Sequence, residues 1–141
     1  SDKFADMFIG FLAGISGAAG AIGMITLIGA AIGLMNIMLV AVSERTREVG
    51  LIKALGGKKK DVRRQFLFES VCISLLGAFF GILLGVGVGN LFSLILNTGF
   101  VVPWFWVFTG IIICSVVGLV AGIYPAMKAA SLNPINALRY E

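Results

Sequence analysis

No charged residue stands between Met7 and Val42, and none stands between Glu69 and Lys128. Runs that long leave no polar surface with which a chain of 141 residues could face water. About 20 apolar residues cross a hydrocarbon core near 30 Å thick as a helix. Inside lipid, each backbone N–H and C=O must find its partner within the chain, which helices do locally. The fold class that follows is all-α and integral to a membrane. Composition agrees: 59% of residues are hydrophobic and 13% charged, against about 45–50% and about 25% in an ordinary soluble domain. Cys72 and Cys114 lie in apolar runs and read as small hydrophobes, not as a disulfide or a metal pair.

The uncharged runs divide into three spans. As one helix, Met7–Val42 would exceed about 50 Å, so residues 22–42 are read as a span. Residues 1–21 are read as an extension that stands out of the bilayer or kinks at its glycines. The second span is 71–96 and the third 104–124. Trp104 and Trp106 mark a membrane interface. Residues 97–103 form a loop without charge, and 125–141 a tail, with Pro125 ending or bending the third helix. Asn133-Pro134 is expected to open a last helical turn through Leu138. Glycines recur at four-residue steps: Gly29 and Gly33; Gly77, Gly81, Gly85 and Gly89; Gly118 and Gly122. Such rows let helices approach closely in lipid. Asn36, inside the first span, is expected to bond a neighbouring helix.

Charge is concentrated in residues 43–70, which hold Arg45, Arg47, Lys53, Lys58, Lys59, Lys60, Arg63 and Arg64. Basic loops stay cytoplasmic. That places this segment inside, residues 97–103 outside, the N-terminus outside and the C-terminus in the cytoplasm. An N-terminus outside without a signal segment implies a span upstream of Ser1. Within the segment, Ser43 is expected to cap a short amphipathic helix. Val49, Ile52 and Leu55 form its apolar face. Gly56-Gly57 stop it, Lys58-Lys59-Lys60 make a basic turn, and Asp61 caps the next helix.

Several chemistries lack their residues. Gly14-Ile15-Ser16-Gly17 resembles an intramembrane serine-protease motif, but the chain has no histidine to act as base. No charged residue lies within a span, which argues against buried carboxylate catalysis or a proton path. Gly57-Lys58 would end a phosphate loop only if a glycine stood at 52, where the residue is Ile52. No metal or catalytic set is therefore expected.

Met38-Leu39-Val40-Ala41-Val42-Ser43-Glu44-Arg45-Thr46-Arg47-Glu48-Val49-Gly50, then Lys53-Ala54-Leu55-Gly56-Gly57 and Asp61-Val62, resembles the FtsX-like permease family, most closely its macrolide-exporter type. Tyr124-Pro125-Ala126, Ala129-Ala130, Leu132, Pro134 and Ala137-Leu138-Arg139 match independently. The resemblance covers residues 33–141 well and the first 30 poorly. It implies the last three spans of an ABC-transporter permease in a bacterial inner membrane, working as a homodimer or with a related permease. The spans would carry the movement of an ABC ATPase subunit outward, to drive export or extraction of a substrate. ATP and magnesium would sit on the ATPase, so this chain would not itself be an enzyme. A missing extracytoplasmic domain would meet periplasmic or outer-membrane partners. The other expected contact is membrane lipid, with no nucleic acid. The coupling residues implied are Glu44, Arg45, Arg47, Glu48, Val49, Gly50, Ile52, Lys53, Leu55 and Gly56. Two alternatives stand beside this reading: an oligomeric membrane scaffold without transport, and a regulator of cell-wall hydrolases from the same family.

Overall fold

The computed structural model describes residues 2–132. Four helices follow one another: α1 (Asp2–Glu44), α2 (Thr46–Ala54), α3 (Lys59–Ile95) and α4 (Trp104–Ala130). Among the described residues there is no strand. α1, α3 and α4 are each long and apolar enough to cross a membrane. The expected turn at Asn133-Pro134 lies outside the described residues.

α1 is a single helix of 43 residues, about 65 Å long at about 1.5 Å per residue. It runs unbroken through the expected extension and span. Its first half stands clear of the rest of the chain, with Phe4, Phe8, Phe11, Ile15 and Ile22 all exposed. Partial burial begins at Leu27 and becomes full at Met38 and Val42. Asn36 is exposed, and its amide reaches no other helix among the described residues. The face of α1 turned inward carries Leu34 and Met38 instead.

α4 is the middle helix, packing against both α3 and α1. Its contact with α3 is made by small residues. A Cβ at Gly118 would lie 2.5 Å from Ser74 Oγ, and one at Gly122 would lie 2.6 Å from Ser70 Cβ. Ser70 is fully buried, and its hydroxyl donates to the Gly118 carbonyl. Small residues on both helices bring the backbones together, as expected where lipid removes the hydrophobic drive between helices. α1 and α3 diverge from this contact. They leave a cleft of about 520 Å³ between Leu27, Ala31 and Leu34 on one side and Gly77 and Gly81 on the other, floored by Gly110, Cys114 and Val117 of α4.

Pro125, expected to end or bend the third helix, does not end it, because α4 continues to Ala130. The proline is buried. Membrane helices tolerate the missing N–H where neighbouring helices pack round the site.

The far loop is held by two devices. At the end of α3, Asn97 takes a positive φ of 57°. Thr98 N–H donates to Ser93 O at 2.9 Å and Asn97 N–H to Leu94 O at 3.3 Å, which closes the helix as a Schellman motif. About two turns earlier, Asn90 pairs with the backbone of Val101: its Nδ2 donates to Val101 O at 3.0 Å and its Oδ1 accepts from Val101 N–H at 2.8 Å. We expect Asn90→Leu to cost about 1–3 kcal/mol through these two bonds. Hydrogen exchange at the Val101 amide should accelerate while exchange in the α2 region stays unchanged.

Candidate functional site

The charge of the sequence gathers round α2, at the end of the bundle where all three long helices converge. α1 and α2 are separated by one residue, Arg45. Ser43 belongs to the last turn of α1, where its hydroxyl donates back to Leu39 O at 3.2 Å. The expectation of a Ser43 cap is therefore corrected. The helix does not restart until Thr46, and Glu44 closes α1 instead of opening α2. The break is covered by the Thr46 hydroxyl, 2.7 Å from Ser43 O and 3.0 Å from Val42 O.

α2 stops where glycine was expected to stop it. Gly56 takes a φ of 99°, Gly57 N–H donates to Ile52 O at 2.9 Å, and Gly56 N–H donates to Lys53 O at 3.1 Å. This is a second Schellman closure. Gly56 supplies the left-handed backbone. Gly57 supplies the close approach, because a Cβ there would lie 2.6 Å from Ile52 O. α3 then opens at Lys58, whose N–H donates to Asp61 Oδ2 at 3.2 Å. Asp61 caps from the third helical position, not from the cap position itself.

The underside of α2 is buried against its own chain. Val49 joins Met38 and Val42 of α1, Val62 and Phe66 of α3, and Ala126 and Ala129 of α4 in one apolar cluster, with Ile52 packed at its edge. Gly50 is also buried. Leu55, expected on this face, is 80% exposed and points away from the cluster. At helical spacing it falls in a row with Arg47 and Leu51, both also exposed. Leu51 is a surface residue that sequence reasoning passed over. Its signal was the four-residue step from Arg47 through Leu51 to Leu55.

Two of the expected surface cations are turned inward. Arg45 Nη1 lies 2.8 Å from both carboxylate oxygens of Glu69 on α3. Its Nε and Nη2 each lie 3.3 Å from Glu48 on α2. The guanidinium also stands over the Phe66 ring, 5.1 Å from its centroid, a favourable cation–π distance. Hydrogen bonding to Glu48 and then to Glu69 raises the Arg45 pKa further above its ordinary value, against a smaller opposing effect of burial. Lys53, at the other end of α2, donates through Nζ to the carbonyls of Ala130 and, at 2.7 Å, Leu132. A cation is favoured at a helix C-terminus, where carbonyls lack partners. Burial lowers the Lys53 pKa, and repulsion from Lys59 adds to that. α2 is thus fixed to α3 through Arg45, to α4 through Lys53, and to all three long helices through Val49.

Glu44, Arg47, Glu48, Leu51 and Leu55 remain on the exposed side of this platform. Among the packing glycines, Gly118 and Gly122 are occupied by α3. At Gly29, Gly33, Gly77, Gly81, Gly85 and Gly89 an added Cβ would meet nothing within 4 Å among the described residues. Gly85 and Gly89 instead line a groove beside Pro103 and Trp106. Among the described residues no group of three histidine, cysteine or carboxylate side chains is placed to hold a metal.

A family model described as the FtsX-like permease C-terminal matches residues 20–134. The chain belongs to the FtsX-like permease family. The match begins closer to the N-terminus than the motifs alone indicated, taking in the part of α1 where packing starts. The chain is 48% identical over 117 residues to the macrolide export ATP-binding/permease protein MacB of Bdellovibrio bacteriovorus, covering 83% of this chain and 18% of that protein. It is 45% identical over 133 residues to the uncharacterized ABC transporter permease YknZ of Bacillus subtilis, covering 94% of this chain and 31% of the relative. The permease YvrN of the same organism is 43% identical over 140 residues, 99% of this chain and 32% of its own. The chain therefore spans less than a third of the length of these relatives. As an FtsX-like permease segment, it is a permease component of the MacB type, distinct from the ATP-binding part that the MacB name also includes.

Proposed function

We propose that α2 is the coupling helix of an ABC permease, and that it passes the movement of an ATPase to α1, α3 and α4 as one body. The observation that carries this reading is the two-sided character of α2. Its inner side is fixed to each long helix by Arg45, Lys53 and Val49, while its outer side presents Arg47, Leu51 and Leu55. A helix that merely marked topology would need neither feature. Exposed leucines within a charged rim match the apolar centre and polar rim of a protein contact.

On this reading the α2 end is cytoplasmic and the 97–103 loop extracytoplasmic, in a bacterial inner membrane. ATP and magnesium belong to the ATPase, separate or fused, and this chain performs no hydrolysis. The open glycine rows on α1 and α3 are contact faces for a second permease copy or for further spans of the same protein. The work done outside is export or extraction of a substrate, through parts of the protein beyond this chain.

The test is capture of candidate ATPases from the same genome in detergent. Native permease should retain its ATPase, and Leu51→Asp with Leu55→Asp should weaken retention by about thirtyfold or more, the loss of one strong contact residue. Both positions are exposed, so the helical content should not change. If no ATPase is retained, or if the double variant binds as well as native protein, α2 is a topology anchor and the scaffold reading replaces this one.

A further inference from the structure

Beside the platform, on the membrane side of α3, lies a second feature that ATPase coupling does not use. A groove of about 390 Å³ runs along the start of α3, with Lys60, Arg63 and Arg64 at its outer end and Leu67, Phe68 and Val71 below them. Leu119 of α4 forms the opposite wall. We propose that this groove is a binding site for one anionic phospholipid, with the phosphate held by Lys60, Arg63 and Arg64 and an acyl chain laid along Leu67, Phe68 and Leu119.

The argument rests on how charge and apolar surface are ordered. Residues 60, 64 and 68 form one helical row, and 63, 67 and 71 the next. The first row runs Lys60, Arg64, Phe68 and the second Arg63, Leu67, Val71, so in both the charge comes first and the apolar surface follows. From Lys60 to Val71 the helix rises about 16 Å, enough for a headgroup and the upper part of a chain. The same order of charge and oil along a membrane normal is that of a phospholipid. All three cations are exposed, and among the described residues none of them enters an ion pair or hydrogen bond. The acid nearest in sequence, Asp61, is engaged in closing the start of α3. Long basic side chains on such a helix can keep their stems on apolar surface and their heads at the phosphate level. A diffuse basic loop would attract anionic membranes without an apolar wall from a second helix, and Leu119 supplies that wall.

The experiment is native mass spectrometry of the full-length permease with its ATPase, after incubation with dioleoyl phosphatidylglycerol or dioleoyl phosphatidylcholine. Retention of phosphatidylglycerol, and not of phosphatidylcholine, is expected. Arg63→Gln with Arg64→Gln should reduce it about tenfold or more, since each surface cation contributes about fivefold. Lys58→Gln with Lys59→Gln removes the same charge outside the groove and should have a much smaller effect. Leu119→Trp fills the apolar part with no change in charge and should also displace the lipid. The proposal is overturned if the two charge variants lose lipid equally, which would mean diffuse attraction. It is overturned too if phosphatidylcholine is retained as well, or if glycerol phosphate competes as strongly as the whole lipid. Loss of the ATPase with lipid retention unchanged would assign Arg63 and Arg64 to a protein contact instead.

Discussion

In the Glu69→Lys variant we expect the ATPase to bind as before and the transporter to stop working. Glu69 lies beneath α2, paired with Arg45 at 2.8 Å, and takes no part in the outward row of Arg47, Leu51 and Leu55. Lysine there removes both short bonds from the guanidinium and sets two cations side by side. The Arg45 and Glu69 side chains are 28% and 34% exposed. Solvent therefore screens part of the change, and a loss of about 1–3 kcal/mol is expected, not the larger penalty of a dry ion pair. Glu48 still holds Arg45, but Glu48 belongs to α2 itself, so α2 keeps its helix and loses its ion-pair tie to α3, with only the apolar contact of Val49 left there. ATPase capture should stay within about threefold of native, while the work done by the assembled transporter should fall by more than tenfold for each ATP hydrolysed, on the order of 1.4 kcal/mol of lost coupling. Glu69→Gln, which can still accept a hydrogen bond, should fall between. The coupling reading fails if activity declines only in proportion to the amount of folded protein.

The second large effect concerns the contact that holds the bundle together. At Gly122 even a single Cβ would lie 2.6 Å from both Cβ and Oγ of Ser70. Gly122→Leu must therefore push α4 away from α3, break the Ser70 bond to Gly118 and open the cluster round Phe66. Overpacking typically costs about 1–3 kcal/mol and sometimes more. A leucine where no carbon fits belongs at or above the top of that range. The expected result is aggregation, or a fall of several degrees or more in the unfolding temperature in detergent. Gly122→Ala should be milder. Combining it with Ser70→Gly restores space, and the pair should be more stable than the sum of the single effects implies. If Gly122→Leu unfolds at the native temperature, the α3–α4 contact is not where these residues put it.

Local signals made much of this architecture legible in advance. Uncharged runs gave three long helices, and a pair of glycines gave the stop after α2, because these depend on residues next to one another in the chain. Asp61 caps the start of α3 as expected, from the third helical position, where its carboxylate accepts the Lys58 N–H. Ser43 misled because a hydroxyl that can open a helix can equally bond back to the carbonyl of Leu39 and let the previous helix continue. The inward turn of Arg45 and Lys53 was not legible. Their partners lie 24 residues away at Glu69 and 77 and 79 away at Ala130 and Leu132, distances that no periodicity spans. The glycine rows were visible but their occupants were not. α4 fits Gly118 and Gly122 against serines on α3, while the longer row from Gly77 to Gly89 lines the open cleft and groove beside that contact.

The unequal burial of α1 has a geometric consequence. Its packed part begins near Leu27, so about 25 residues, roughly 38 Å of helix, project beyond the last firm contact. Tilting the helix about that point by about 10° would carry Asp2 sideways by nearly 7 Å, while Glu44, about 26 Å the other way, would move about 4 Å. A displacement of about 4 Å at α2 thus becomes nearly 7 Å at the other extremity, a gain of about 1.5 set by where the packed part of α1 begins.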